Sequence, residues 1–250
     1  MLNIITHGDE TDRPTLLIVH GLFGSARNWG VIAKRLSDTR QVVTVDLRNH
    51  GESFWDASHS YRDLADDLAT VITSPCDVLG HSMGGKAAMV LALTRPDLVN
   101  RLIVADISPV TYAHSQMHLI KAMAALDLTG VTRRAEADAA LTPSITDAGV
   151  RAFLLQSLDV VHGKWRLNLN TLANQMDEII GFPDISAQYP DETLFLSGAE
   201  SHYVLPEHRD KIRALFPRAR FAKIPGAGHW LHAEKPREFE AAVRAFLERS

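Results

Sequence analysis

The sequence predicts an α/β protein built on a mostly parallel sheet. Two features carry that prediction. Short continuous apolar runs such as Leu16-Leu17-Ile18-Val19 recur along the chain, as expected of strands buried on both faces of a parallel sheet. Longer stretches with helical spacing fall between them, so successive strands are joined by crossovers. The strand runs are Leu2–Thr6, Thr15–His20, Gln41–Asp46, Asp77–Gly80, Arg101–Asp106, Thr193–Ser197 and Arg220–Ile224.

The helices follow in order. Ser25 suits the N-cap of a helix running to about Leu36. Tyr61–Ile72 puts Leu64, Leu68 and Val71 on one face and keeps Asp63, Asp66 and Asp67 off it. Met83–Thr94 is rich in Ala, Leu and Met and ends before Pro96. Pro206–Phe216 and Arg237–Glu248 are the last two. From about Thr111 to Ala187 the alternation stops and helical segments take over, at Gln116–Ala125, Thr132–Ala140, Thr146–Leu158 and Leu169–Ile179. A helical insertion between two sheet strands is the simplest reading. Apolar positions in it, such as Met117 and Trp165, are expected to influence which substrate chain lengths fit.

Composition narrows the function classes. With 250 residues, 46% of them apolar, the chain suits one domain or one domain with an insertion. Its net charge of −4 is spread without a basic block, which disfavours nucleic acid or an anionic membrane as partner. Residues 1–13 carry Asp9, Glu10 and Asp12 and lack the basic start and long apolar stretch of a signal peptide. No apolar run reaches the ~18 residues of a membrane span, so a soluble cytoplasmic protein without membrane insertion is expected. Cys76, the single cysteine, stands outside any motif and reads as a half-buried small residue.

Gly80-His81-Ser82-Met83-Gly84 matches G-x-S-x-G at a strand end and a helix start, the context the motif requires. The glycines let a tight turn push the Ser82 hydroxyl into a cleft as a nucleophile. Acyl transfer builds charge on a carbonyl oxygen, and each preorganised N–H donor there is worth about 3 kcal/mol. One donor is expected to be the Met83 N–H. The other is expected from the loop His20-Gly21-Leu22-Phe23-Gly24-Ser25, at Leu22 with Phe23 as the alternate. Of twelve histidines, His229 stands out as the general base. It follows a strand and the loop Pro225-Gly226-Ala227-Gly228 and completes the chain order serine, acid, histidine. His232 is the competitor. His20 and His81 are expected to bond backbone near the cleft.

Four motifs occur in sequence: His20–Ser25, Val45–Ser53, Gly80–Gly85 and Gly226–His229. Together they resemble the small carboxylesterases and thioesterases of the α/β-hydrolase superfamily, bacterial acyl-ester hydrolases similar to a mitochondrial α/β-hydrolase. The resemblance spans nearly the whole chain and is weakest in the insertion. It implies an eight-stranded, mostly parallel sheet with a helical cap after the sixth strand. The cap would be residues 111–187 and the core residues 1–110 and 188–250. It also implies no metal, no organic cofactor and a small ester or thioester substrate. Asp46, Arg48, Asn49 and Gly51 match a family loop and read as structural, with the Asp and Arg bonding each other or backbone.

The family's usual acid follows the seventh strand in a G-x-x-D pattern. Here Gly198-Ala199-Glu200-Ser201 ends in a serine, and Glu200 comes one residue early. The other acid position in the family follows the sixth strand, where Asp106 stands. Asp106 is therefore the expected acid, with Ser201 adding a hydrogen bond near His229. A C–C bond hydrolase on the same triad and a ligand-binding protein with a vestigial site are the alternatives.

Overall fold

The computed structural model describes residues 1–248; residues 249–250, the end of the expected core segment, lie outside the described residues. The first half contains β1 (Ile4–His7), β2 (Leu16–Val19), α1 (Gly30–Leu36), β3 (Val42–Val45), α2 (Tyr61–Val71), β4 (Cys76–His81), α3 (Met83–Thr94) and β5 (Val99–Ala105). The chain then leaves the sheet through α4 (Met117–Ala125), α5 (Arg134–Leu141), α6 (Ala148–Leu154), β6 (Leu158–Asp159), β7 (Lys164–Trp165), α7 (Leu169–Asn174) and α8 (Met176–Ile180). It returns with β8 (Thr193–Gly198), α9 (Arg209–Leu215), β9 (Ala219–Ile224), α10 (Leu231–Glu234) and α11 (Pro236–Leu247).

The central sheet has the order β1-β3-β2-β4-β5-β8-β9, and only β1 runs antiparallel to its neighbour. Alternation along each strand assigns the two faces. Leu16 and Ile18 pack toward Ile32 of α1 and Phe239 and Val243 of α11. Leu17 and Val19 belong to the opposite core with Leu64 and Leu68 of α2 and Ala88 of α3. Each such fully buried aliphatic side chain contributes about 1.5–3 kcal/mol. The Ser60 hydroxyl caps α2 by accepting the Asp63 N–H at 3.2 Å. Cys76 is buried, which pushes its thiol up to about 12 and leaves it inert.

The sheet has seven strands among the described residues, not the eight the resemblance implied, and the excursion follows the fifth. Ahead of β2 only Ile4–His7 pairs. The next stretch turns at Gly8 (φ 70°) and carries Asp9, Glu10, Asp12, Arg13 and Pro14, with no apolar run to add to an edge. The excursion between β5 and β8 is mainly helical, and its two short strands pair only with each other.

Chain direction reverses at β2. The crossover through α1 places β3 on one side of it, and that through α2 places β4 on the other. Such a switch opens a crevice at the strand C-termini. The loops after β2, β4, β5, β8 and β9 all meet there. Among the described residues no helix is long and apolar enough to cross a membrane.

Candidate active site

Ser82 occupies the turn between β4 and α3 at φ 52°, ψ −122°, a backbone region that costs a non-glycine residue about 1–3 kcal/mol. Close packing enforces it. A Cβ on Gly80 would sit 2.3 Å from the Gly84 carbonyl oxygen, and one on Gly84 would sit 2.3 Å from the His20 carbonyl oxygen. The Ser82 N–H donates to the Ala105 carbonyl at 3.0 Å, which ties the turn to the end of β5.

The next residue on β5 is Asp106, fully buried and also at positive φ (53°). Its Oδ1 accepts the Gly198 N–H at 3.1 Å. Its Oδ2 accepts the Ser201 hydroxyl at 2.5 Å and faces His229 Nδ1 at 2.8 Å. His229 Nε2 lies 3.0 Å from Ser82 Oγ. The fold thus joins Ser82, His229, Asp106 and Ser201 into one chain of hydrogen bonds. Ser201 reaches the acid rather than the imidazole. Glu200 is exposed and takes no part in this chain of bonds.

The loop bearing His229 is pinned on both sides. The Glu234 carboxylate accepts the Gly228 N–H at 2.6 Å and the Trp230 N–H at 3.3 Å. His81 Nε2 donates to the His229 carbonyl at 2.8 Å. Tyr203 stacks on the His229 ring at 4.1 Å between centroids. Tyr203 and Glu234 escape sequence reading, because neither belongs to a motif and each meets the loop only through the fold.

The loop after β2 turns at Phe23 (φ 64°), and the Phe23 N–H donates to His50 Nε2 at 3.2 Å. The Phe23 N–H is thus engaged within the framework of the loop itself. Met83 is the first residue of α3, so its N–H has no intrahelical acceptor. Leu22 and Met83 both line the cavity over Ser82. The motif Val45–Ser53 braces this loop. Asp46 Oδ1 accepts the Ala26 N–H at 2.7 Å, and His20 Nε2 accepts the Leu47 N–H at 3.0 Å. Arg48 does not pair with Asp46. It forks onto Asp67 of α2 at 2.6 and 2.9 Å.

Burial disfavours the charged form of the surrounding histidines. It lowers His20, holds His50 and His81 well below the usual range, and brings His59 and His232 to about 3. His20, His50, His59 and His81 are hydrogen-bonded into the framework. His232 is buried and stacked on Trp29 at 4.2 Å, away from the hydrogen-bonded chain. His229 by contrast keeps 22% of its side chain exposed to the cleft.

A cavity of about 450 Å³ opens over Ser82 and runs under the excursion. Leu119, Ile145, Val150, Phe153, Met176 and Ile179 form its apolar wall, while His114, Gln116 and Tyr203 stand at a polar part. Met117 and Trp165 are not among its lining residues. Trp165 turns into the excursion's own core and donates to the Met123 carbonyl at 3.0 Å. Among the described residues no group of three or more His, Cys, Asp or Glu side chains converges as metal ligands would.

Known proteins match this chain along almost its whole length. The sn-1-specific diacylglycerol lipase ABHD11 of Mus musculus is 44% identical over 254 residues, covering 96% of this chain and 82% of that protein. Esterase YbfF of Escherichia coli is 38% identical over 248 residues, covering 97% and 96%. The solved structure of a marine microorganism esterase superposes with a TM-score of 0.93 at 35% identity, covering 98% of each chain. A sequence profile of the alpha/beta hydrolase family matches residues 16–242. With that profile, those relatives and this fold in agreement, the chain belongs to the α/β-hydrolase family.

Proposed function

We propose that this protein is a serine hydrolase of carboxylic esters with an apolar acyl group, acting through an acyl-enzyme on Ser82. The observation that carries the reading is the unbroken relay from Ser82 Oγ to His229 Nε2 (3.0 Å) and from His229 Nδ1 to Asp106 Oδ2 (2.8 Å), opening onto an apolar cavity. The relatives named esterase and diacylglycerol lipase support an ester as the bond cleaved.

In the first half-reaction His229 Nε2 takes the Ser82 proton as Oγ attacks the carbonyl carbon. Asp106 stabilises the imidazolium that forms. The Leu22 and Met83 N–H groups hold the oxyanion. His229 then gives its proton to the leaving alcohol or thiol, and the acyl group stays on Ser82. Water, activated by the same imidazole, releases the acid and restores the serine. Residues 111–187 serve as a cap that excludes water from the acyl chain, on a core of residues 1–110 and 188–250.

A panel of p-nitrophenyl esters and acyl-CoA thioesters of graded chain length tests the reading. Turnover should appear on esters and be abolished by a fluorophosphonate. A protein that takes up the fluorophosphonate yet turns over no ester contradicts it.

The brace on the oxyanion loop gives a separate expectation. His50→Phe fills the same space but removes the acceptor of the Phe23 N–H, so the loop loses its anchor. We expect kcat to fall about 10- to 100-fold, less than the 10²–10³ of deleting a donor outright. KM should change little, because the donors act on charge that develops only in the transition state. Steady-state kinetics on one good ester reads this directly. A rise in KM at unchanged kcat would assign His50 to ground-state binding instead.

A further inference from the structure

Helix α3 is apolar throughout its buried face except at Lys86, which is only 1% exposed. The Lys86 ammonium takes no part in the Ser82–His229–Asp106 relay. It donates to the Ile180 carbonyl at 2.8 Å and to the Gly181 carbonyl at 2.5 Å. These are the last carbonyl of α8 and that of the residue capping it, where a cation is favoured. Two aromatic rings flank the nitrogen, Tyr112 at 4.8 Å and Tyr61 at 5.6 Å from centroid. The same rings' residues finish the clasp. The Tyr61 hydroxyl donates to the Ile179 carbonyl at 2.6 Å, and the Tyr112 N–H to the Ile180 carbonyl at 3.0 Å. Three successive carbonyls at the end of the excursion are thus held by α2, by α3 and by the segment after β5.

The position of this clasp matters for substrate. Met176, Ile179 and Ile180 of α8 line the cavity over Ser82, as do Lys86, Tyr61 and Tyr112. Lys86 is four residues beyond Ser82, in the helix that Ser82 precedes, so its two bonds tie that helix to the end of α8. We propose that Lys86, with Tyr61, is a specificity-determining positioning residue: its grip on the end of α8 fixes the wall against which the acyl chain ends, and so sets acyl-chain length. Burial pushes the ammonium down to about 7. A neutral amine keeps two N–H donors, enough for the same two carbonyls, so the clasp persists in either protonation state. The inference rests on the ester-hydrolase reading.

The test is the chain-length profile of wild type, Lys86→Met and Tyr61→Phe on p-nitrophenyl esters from acetyl to dodecanoyl. Uptake of a fluorophosphonate gives the folded fraction of each protein. Acetyl is the shortest acyl group of the series and the least dependent on the α8 wall, so its kcat/KM per labelled site should stay near the wild-type value. For the ester best matched to wild type, Lys86→Met should lose about tenfold in kcat/KM relative to acetyl, the scale of a misfitted methylene or two. That loss should appear mainly in KM. Tyr61→Phe removes one hydroxyl and should shift the profile in the same direction by about threefold, on the scale of one hydrogen bond. It decides the matter if Lys86→Met takes up no label. An unchanged profile in every variant that labels, or an equal loss on acetyl and long-chain esters, overturns the proposal. Absence of turnover by wild type on every ester is instead the failure of the ester-hydrolase reading.

Discussion

Ser82→Ala is expected to lower kcat by about 10⁴- to 10⁶-fold, with KM within a few-fold of wild type. The size follows from what is lost. Without Oγ, His229 Nε2 has no proton to take and no covalent intermediate can form. The residual rate would come from water in the cleft, helped by the oxyanion donors and by substrate positioning. The fold should tolerate the change. The Ser82 N–H bond to Ala105 is made by the backbone, and the strained φ is imposed by the backbone packing of Gly80 and Gly84. The measurement is kcat on a good ester, with thermal unfolding as a control. A variant retaining a tenth of wild-type kcat would remove Ser82 from the mechanism.

Asp106→Asn is expected to lower kcat by about 10⁴-fold. The hydrogen bonds around the carboxylate give the reason. Oδ1 accepts the Gly198 N–H, so an amide must keep its oxygen there to avoid two donors facing each other in a buried site. Its NH₂ then takes the place of Oδ2, facing His229 Nδ1 at 2.8 Å. An NH₂ donating to Nδ1 forces the imidazole proton onto Nε2, the nitrogen that must accept from Ser82. The charge opposite the imidazolium is lost as well. Ser201→Ala removes one neutral donor from Oδ2 and should cost about tenfold or less, the scale of a hydrogen bond near 1 kcal/mol. Glu200→Gln should cost little, since Glu200 is exposed. The three kcat/KM values at pH 8, taken together, decide the assignment. A crippled Glu200→Gln beside a near-normal Asp106→Asn would move the acid to the loop after β8.

The parts of this account legible in the sequence are those that short chain segments determine. The inner strands β2, β3 and β8 are legible as largely apolar runs because they are covered on both faces, whereas the edge strands β1 and β9 alternate and stay partly exposed. Ser82 is legible because a nucleophile turn needs glycine on either side within a few residues. Asp106 is legible as a carboxylate at a strand end once Ser201 occupies the usual acid position. The eighth strand is implied by the resemblance alone, and the charged, proline-containing stretch after β1 cannot supply it. What bridges distant segments is not legible. His50 accepts from Phe23, twenty-seven positions away, and Lys86 grips carbonyls more than ninety positions on. Nothing local in either pattern separates them from other buried polar residues. The composition of the cavity wall is illegible for the same reason. Met117 and Trp165 are apolar residues of the excursion, but which apolar residues face the cleft depends on how α4 to α8 pack on one another.

Ser82 Oγ is the atom on which an acyl-enzyme would form. The most direct test is stoichiometric labelling with a fluorophosphonate, followed by peptide mapping by mass spectrometry. The account predicts one adduct per chain, carried by Ser82, with ester hydrolysis lost in proportion to labelling and no adduct on Ser82→Ala. An adduct on another residue, or full labelling of Ser82 with hydrolysis intact, would contradict it.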